Sequence, residues 1–296
     1  MRLIPSRAAI AATISTSLSA ISSAAAAEEP IVVTATRTPV NVERTLVSTV
    51  LISRDDIEKS QAPFVTDLLR SVAGVEMSTN GGPGQTTSIF LRGAESDHTL
   101  ILVDGVKLNP GTIGVAALQN MPVDMIERIE ISMGPRSTLY GSDAIGGVIQ
   151  IITRKGELAE AGWRFGSYNT HQLSGSLHGK TDAVRYGIDL SGTRSDGFPA
   201  RSEATEDSPY SNNSANLKLG STFGNTDLDA IYWYSSGTTD YYDFLLTPVD
   251  QDYRNSIASL TAVTQASSRW VSNLRYSFFE DQIEQNQSDD YLQTKR

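Results

Sequence analysis

Gly134-Pro135-Arg136-Ser137-Thr138-Leu139-Tyr140-Gly141-Ser142-Asp143-Ala144-Ile145-Gly146-Gly147-Val148-Ile149-Gln150-Ile151-Ile152-Thr153 joins two different textures of sequence. Its first half is punctuated by glycine, with Gly134-Pro135 setting a turn, and its second half, Val148 to Thr153, is a β-branched run. A loop therefore feeds a strand. Gly141, Gly146 and Gly147 have the look of a phosphate cradle, but no Lys-Ser/Thr comes after them as a P-loop requires. Tight backbone bends are the simpler use for them. The residues before this stretch read as a small mixed domain, and those after it as a barrel.

The stretch closely resembles the end of the plug domain in TonB-dependent outer-membrane receptors. There the pattern Gly-Pro-x-Ser-x-x-Tyr-Gly-x-x-Ala-x-Gly-Gly-Val-Ile-Asn-Ile closes the plug ahead of the first barrel strand, and this chain departs from it with Gln150 at the Asn position. The resemblance implies an α+β plug domain over residues 41–156, followed over residues 157–296 by an incomplete antiparallel transmembrane β-barrel.

Bulk properties agree with a folded, exported protein. The chain has 296 residues, 39% hydrophobic and 20% charged, without cysteine. No run of eighteen apolar residues occurs, so no transmembrane helix is expected. A barrel strand needs only about ten residues of alternating pattern, so a membrane location stays open. Arg2 and Arg7, an apolar run from Ala8 to Ile21 and Ala24-Ala25-Ala26-Ala27 read as a signal peptide over residues 1–27. Its removal leaves 22 basic against 34 acidic side chains, a formal charge of −12, which argues against nucleic acid as a partner.

Residues 28–40 contain Ile31-Val32-Val33-Thr34-Ala35, a β-branched run read as too isolated to pair with its neighbours. It is either an edge strand of the next domain or a strand offered to another protein by sheet-edge addition. The five residues closely resemble the TonB box, which implies coupling to the inner-membrane protein TonB.

Between Thr49 and Thr153 the pattern is α+β. Ser53 and Asp56 form a capping-box pair opening a helix to about Ser60, and a second helix is expected from Phe64 to Val72, stopped by Gly74. Strands are expected at Val75–Met77, Ser88–Arg92 and Leu100–Val103, the last turning at Asp104-Gly105, then at Ile126–Met133 and Val148–Thr153. Ile126, Ile129 and Ile131 do not alternate cleanly, which leaves the register there open.

Two turn-rich loops, 79–87 and 109–116, interrupt this unit. They resemble the plug apices that face the ligand in the family's cobalamin transporters. That resemblance implies Asn80, Gln85, Thr87, Thr112 and Ile113 as ligand-facing residues, and cobalamin as the cargo, with a siderophore as the alternative. Amides and hydroxyls suit a large neutral ligand rich in amides, whereas a catechol siderophore calls for arginines and aromatics. Arg92 and Arg136 are either plug cations paired to a barrel wall or solvated surface groups.

From Glu160 onward hydrophobicity has period two, clearest where Val184, Tyr186, Ile188 and Leu190 alternate with Arg185, Gly187 and Asp189. A soluble sandwich alternates too, but alternating short turns and long loops, the latter at 194–213 and 235–252, point to an outer-membrane barrel in contact with lipid. About seven strands are expected where a closed transporter of this type has about 22, so the chain reads as a fragment. The loops hold Asp196, Asp207, Asp240, Asp243 and Asp252, solvated carboxylates or, as the resemblance implies, ligands for calcium. His98, His171 and His178 are the only histidines, and neither a His-Glu-x-x-His helix nor a Gly-x-Ser-x-Gly elbow occurs, so no enzyme is expected. A non-transporting structural or adhesin barrel is the rival from another class.

Overall fold

The computed structural model describes residues 32–33, 40–41, 48–110, 114–204, 206–243, 245–286 and 292–295. The signal-peptide expectation over residues 1–27 and Ile31 lie outside the described residues, as do Thr34 and Ala35. Strand β1 (Val32–Val33) pairs antiparallel with β2 (Val40–Asn41), Val33 opposite Val40. Val33 and Val32 of the box therefore have pairing partners seven and nine residues away, contrary to the isolation expected of it.

The α+β unit starts with β3 (Thr49–Ile52), α1 (Arg54–Ser60) and α2 (Val65–Arg70). Ser53 caps α1 reciprocally: its Oγ accepts from Asp56 N at 3.2 Å, and Asp56 Oδ2 accepts from Ser53 N at 2.9 Å. Such a cap stabilises by about 1 kcal/mol. Arg54 Nη1 donates to the Val123 and Ile126 carbonyls, fixing α1 to the strand that begins there. Next come the hairpin β4 (Val75–Thr79) and β5 (Thr87–Leu91), then β6 (Thr99–Val103), β7 (Val106–Lys107), β8 (Ile126–Met133), α3 (Ser137–Tyr140) and β9 (Gly147–Thr153).

One sheet runs β3-β8-β9-β6-β7, antiparallel except for the parallel pair β6–β9. The β6–β7 turn uses Asp104 and Gly105, both at positive φ (47° and 83°), as the sequence leads one to expect. The irregular isoleucines of β8 have a cause: a bulge between Ile126 and Arg128 adds a residue against β9. Beyond it Ile129 and Ile131 recover the alternation and are fully buried with Leu69, Leu91 and Ile149. The stretch read as pure loop before β9 contains the single helical turn α3.

Eight strands follow in simple meander order: β10 (Leu158–Gly166), β11 (Thr170–Lys180), β12 (Val184–Ser195), β13 (Tyr210–Phe223), β14 (Thr226–Tyr242), β15 (Pro248–Ser267), β16 (Trp270–Gln285) and β17 (Leu292–Lys295). The sheet is open, with β10 and β17 each paired on one side among the described residues. Turns at 181–183, 224–225 and 268–269 mark one edge, and longer connections at 196–209 and 243–247 the other. The loop expected over 235–252 is mostly strand: β14 and β15 have 17 and 20 residues. Ser, Thr and Asp in that segment read as loop residues, but in a sheet with one polar face they occupy strand positions.

The two faces are the reverse of a soluble sheet. Leu173, Leu177, Ile188, Leu190, Leu217, Leu219, Leu260 and Leu274 are exposed, whereas Gln172, His178, Asp189, Asn212, Asn216, Ser235 and Asn255 are buried. Trp163 and Phe165 lie exposed towards the long-connection edge, Phe223 and Trp270 beside the short turns. An apolar outward band between aromatic residues, over a polar interior, is the pattern that lipid imposes on a barrel wall. Among the described residues, Trp233, Ile257 and Phe279 are the side chains of this sheet that join the buried apolar core of the α+β unit.

Candidate functional site

The first turn-rich loop is closed by Asn80 N to Thr86 O at 3.1 Å and Gln85 N to Gly82 O at 3.3 Å. Asn80 is exposed, as a ligand-facing residue must be. Gln85 and Thr87 are not: they are 5% and 2% exposed. Gln85 Nε2 donates to Thr239 Oγ1 of β14 at 3.0 Å, Thr239 Oγ1 donates on to Pro83 O at 3.2 Å, and Thr87 Oγ1 donates to Gln85 O. The expectation of an exposed Gln85 is thus corrected; its amide fastens the loop to the large sheet. Gly84, at φ 80°, lies so close to Tyr210 of β13 that a Cβ would stand 2.4 Å from the ring.

Over the same loop lies the 196–209 connection. A methyl group at Gly82 would be 3.8 Å from Phe198 Cζ, and Phe198 packs on Tyr168 with ring centroids 5.0 Å apart. In the second loop Thr112 and Ile113 fall outside the described residues. Its flanks are drawn together by buried Asn109, which accepts from Ile101 N and donates to the Thr99 and Gly114 carbonyls.

Below these loops the α+β unit is held to the sheet chiefly by polar bonds. In the 118–120 turn, Asn120 O accepts from Asn212 Nδ2 at 3.2 Å and Ser235 Oγ at 2.9 Å. Asn120 Nδ2 donates to Asn255 Oδ1, and Asn255 Nδ2 donates to Asp281 Oδ1. One residue thereby engages β13, β14 and β15, and through Asn255 reaches β16. Asp124 takes two bonds from Arg164 of β10, at 2.6 and 3.0 Å, and one from Gln172 of β11. At the exit from β9, Lys218 of β13 donates to the Thr153 and Arg154 carbonyls, both at 3.0 Å, and sits 3.4 Å from Asp104 Oδ2.

Arg154 is bridged to Glu160 by two bonds, at 2.6 and 3.1 Å. Its burial opposes the charge, but the Glu160 bond and charge, with help from Asp189 and Glu127, hold its guanidinium above the ordinary value. Charge pairing across the interface is therefore present, but with other residues than expected. Arg92 is exposed and Arg136 partly exposed, and neither forms an ion pair with the sheet among the described residues. In two of these pairs the α+β unit contributes the acid, Asp104 or Asp124, and the sheet the base, Lys218 or Arg164, whereas Arg154–Glu160 has the opposite polarity.

The five aspartates implied for calcium do not converge. Asp240 and Asp252 are on β14 and β15, and Asp243 Oδ1 accepts from Leu245 N and Thr247 N within its own turn. Asp196 and Asp207 lie in the connection between β12 and β13. Among the described residues no three His, Asp or Glu side chains come together as metal ligands, so these residues as arranged do not fit a calcium site.

Residues 41–148 match the family described as the TonB-dependent receptor plug domain. Solved structures with a similar fold include the siderophore receptor PiuA of Acinetobacter baumannii, at TM-score 0.69 and 17% identity, covering 85% of this chain and 38% of that one. The ferric-catecholate import receptor Fiu of E. coli is similar at TM-score 0.70 and 15% identity, covering 90% and 44%. The ferric enterobactin receptor PfeA of Pseudomonas aeruginosa, in complex with enterobactin, is similar at TM-score 0.63 and 19% identity, covering 79% and 41%. This chain spans about two fifths of the length of each receptor. A polar-lined sheet around a bonded α+β unit, the family match and these folds lead to one conclusion: the chain carries a TonB-dependent receptor plug domain followed by antiparallel strands that match the barrel wall of such receptors.

Proposed function

We propose that this chain forms the plug and a first part of the wall of an outer-membrane receptor that imports a ferric siderophore and is driven by TonB. The observation that carries the reading is the inverted sheet, apolar towards lipid and hydrogen-bonded to a plug on its polar face. A plug held mainly by polar contacts closes a pore yet rearranges at low cost in buried apolar area. Residues 31–35 are the site at which TonB pulls. Among the described residues their strand is tied to its own chain by the two-residue pairing β1–β2, short enough for an incoming strand to replace.

A siderophore is favoured over cobalamin by what surrounds the first apex. Phe198 lies beside Gly82 and packs at a tilt against Tyr168, while Gln85 and Thr87, the groups that would serve an amide-rich ligand, are occupied within the protein. Aromatic faces of this kind suit catechol rings. The similar folds of siderophore receptors accord with this choice. Titration of the intact receptor with ferric enterobactin and with cobalamin tests the cargo: binding of cobalamin alone overturns the siderophore reading. Deleting residues 31–35 tests the drive, with retained binding and lost iron uptake expected. Unimpaired uptake after that deletion would remove TonB coupling through this segment.

A further inference from the structure

Tyr210 is a wall residue that touches three separate parts of the plug. Its ring lies against Gly84 of the apical loop, closely enough that a Cβ there would be 2.4 and 2.5 Å from Cδ2 and Cε2. It meets the Phe64 ring edge-on, centroids 5.9 Å apart and planes at 80°, and Phe64 is the residue on which α2 begins. Its hydroxyl is 3.5 Å from Gln119 O, in the turn that presents Asn120 to the wall. The neighbouring Tyr253 has a shorter acceptor, Ser211 O at 3.0 Å, and receives a bond from Asn212. The Tyr210 proton is therefore left for Gln119.

Phe64 in turn forms a β-bridge with Pro122, two residues past Asn120. Phe64, Gln119, Asn120, Pro122, Tyr210 and Asn212 line one narrow crevice between plug and wall. The ring is in contact with Gly84 on one side and with the Phe64 ring on another. Tyr210 is 2% exposed and its backbone is locked between β12 and β14. Its side chain is then a stiff rotor on a fixed hinge, touching the apical loop on one side and the start of α2 on the other.

From this geometry we propose that Tyr210 is the positioning residue that couples the apical loop to α2. The relay runs from Gly84 through the Tyr210 ring to Phe64. A load that moves the loop towards the wall displaces the ring and disturbs its edge contact with Phe64, loosening the first turn of α2. Given the import reading above, this is the route by which occupancy of the apex reaches the N-terminal part of the plug. The aromatic contact carries the effect, and the hydroxyl is accessory.

The test needs no cargo. In the intact receptor, Gly84→Ala pushes on the ring, and amide exchange is read in peptides covering residues 64–72, with residues 147–153 of β9 as an internal reference. Coupling between groups in contact corresponds to about 3- to 100-fold in such a cycle. Gly84→Ala is expected to speed exchange over 64–72 by at least about threefold when residue 210 is Tyr or is changed by Tyr210→Phe, and by less than about twofold after Tyr210→Ala. Equal acceleration in the Tyr210→Ala background, or none in the Tyr210 background, overturns the relay. Should Gly84→Ala prevent folding, Thr239→Ala releases the loop from β14 instead, and the same pattern is required of it. Import is scored separately: lost uptake with the cycle intact counts against the proposed function and leaves the relay standing.

Discussion

Replacing Lys218 by Met should open the junction between plug and wall while leaving the rest of the receptor folded. The ammonium serves the Thr153 and Arg154 carbonyls and the Asp104 carboxylate, and its side chain is only 13% exposed. Hydrogen bonds to a charged group contribute about 1.5–3 kcal/mol each, and part of that is offset because the ammonium no longer has to be buried. The net local loss is about 2–4 kcal/mol, or about thirty- to several-hundredfold in the opening equilibrium. Asp104 keeps its bonds from the Thr153 amide and hydroxyl, so the β6–β7 turn should survive. Trypsin reads the effect, because exposed Lys155 adjoins Arg154, and cleavage of a transiently opened segment tracks the opening equilibrium when reclosing is fast. Cleavage after Lys155 should accelerate at least about thirtyfold, with cleavage at exposed Arg269 as the internal control. Lys218→Arg should retain most of the protection. An acceleration below about threefold, or an equal one at Arg269, refutes the reasoning.

Gly105→Ala should destabilise the plug by about 1–3 kcal/mol, since a Cβ there adds strain at positive φ and meets the Arg275 guanidinium of β16; Arg275→Ala should recover the steric part in urea unfolding. Leu190→Lys places a charge on the outward face and should lower folding into bilayers by about 2–4 kcal/mol if it lies near the midplane, seen as loss of heat-modifiable mobility. Burial raises the Asp67 carboxyl above its ordinary value, against the lowering effects of Arg70 and the Phe64 hydrogen bond. The folded plug therefore holds that proton more tightly than the unfolded chain does, so stability falls as pH rises from the ordinary Asp value through the raised one. Asp67→Asn should raise the urea midpoint near neutral pH and give no gain below the ordinary carboxyl range.

The plug was legible in sequence because its signals are local. Ser53 and Asp56 cap α1 across three residues, Asp104-Gly105 adopts the two positive φ values its hairpin demands, and the strands around Leu100 and Ile149 are short β-branched runs. The bulge in β8 was visible only as a flaw in the alternation of Ile126, Ile129 and Ile131. The wall was legible in its period but not in its extent. Where the outward face is apolar and the inward face polar, Ser235, Thr239 and Asp240 are ordinary strand residues, and reading polarity as loop shortened β14 and β15.

The site was harder, for a reason that lies in the same inversion. In a soluble domain a glutamine in a glycine-rich loop is turned towards water or a ligand, because the interior has no place for it. Inside this wall the interior is the polar side, and an amide finds partners by going inward. Gln85 does so with Thr239, 154 residues away, and Asn120 with Asn255, 135 residues away. Neither partner has a local sequence signal, since each is one polar residue among many on an alternating strand. Composition marks the apical loop as exposed, yet only the packing of Gly84 on Tyr210 shows that its lower side is a contact surface. On the proposed import function, the outward-looking remainder, exposed Asn80 with Phe198 and Tyr168 nearby in the chain's fold, would be what a cargo meets first. A ligand there bears on a loop whose reverse side already rests on the wall, so binding at the apex and the hold of the plug on the wall belong to one set of contacts.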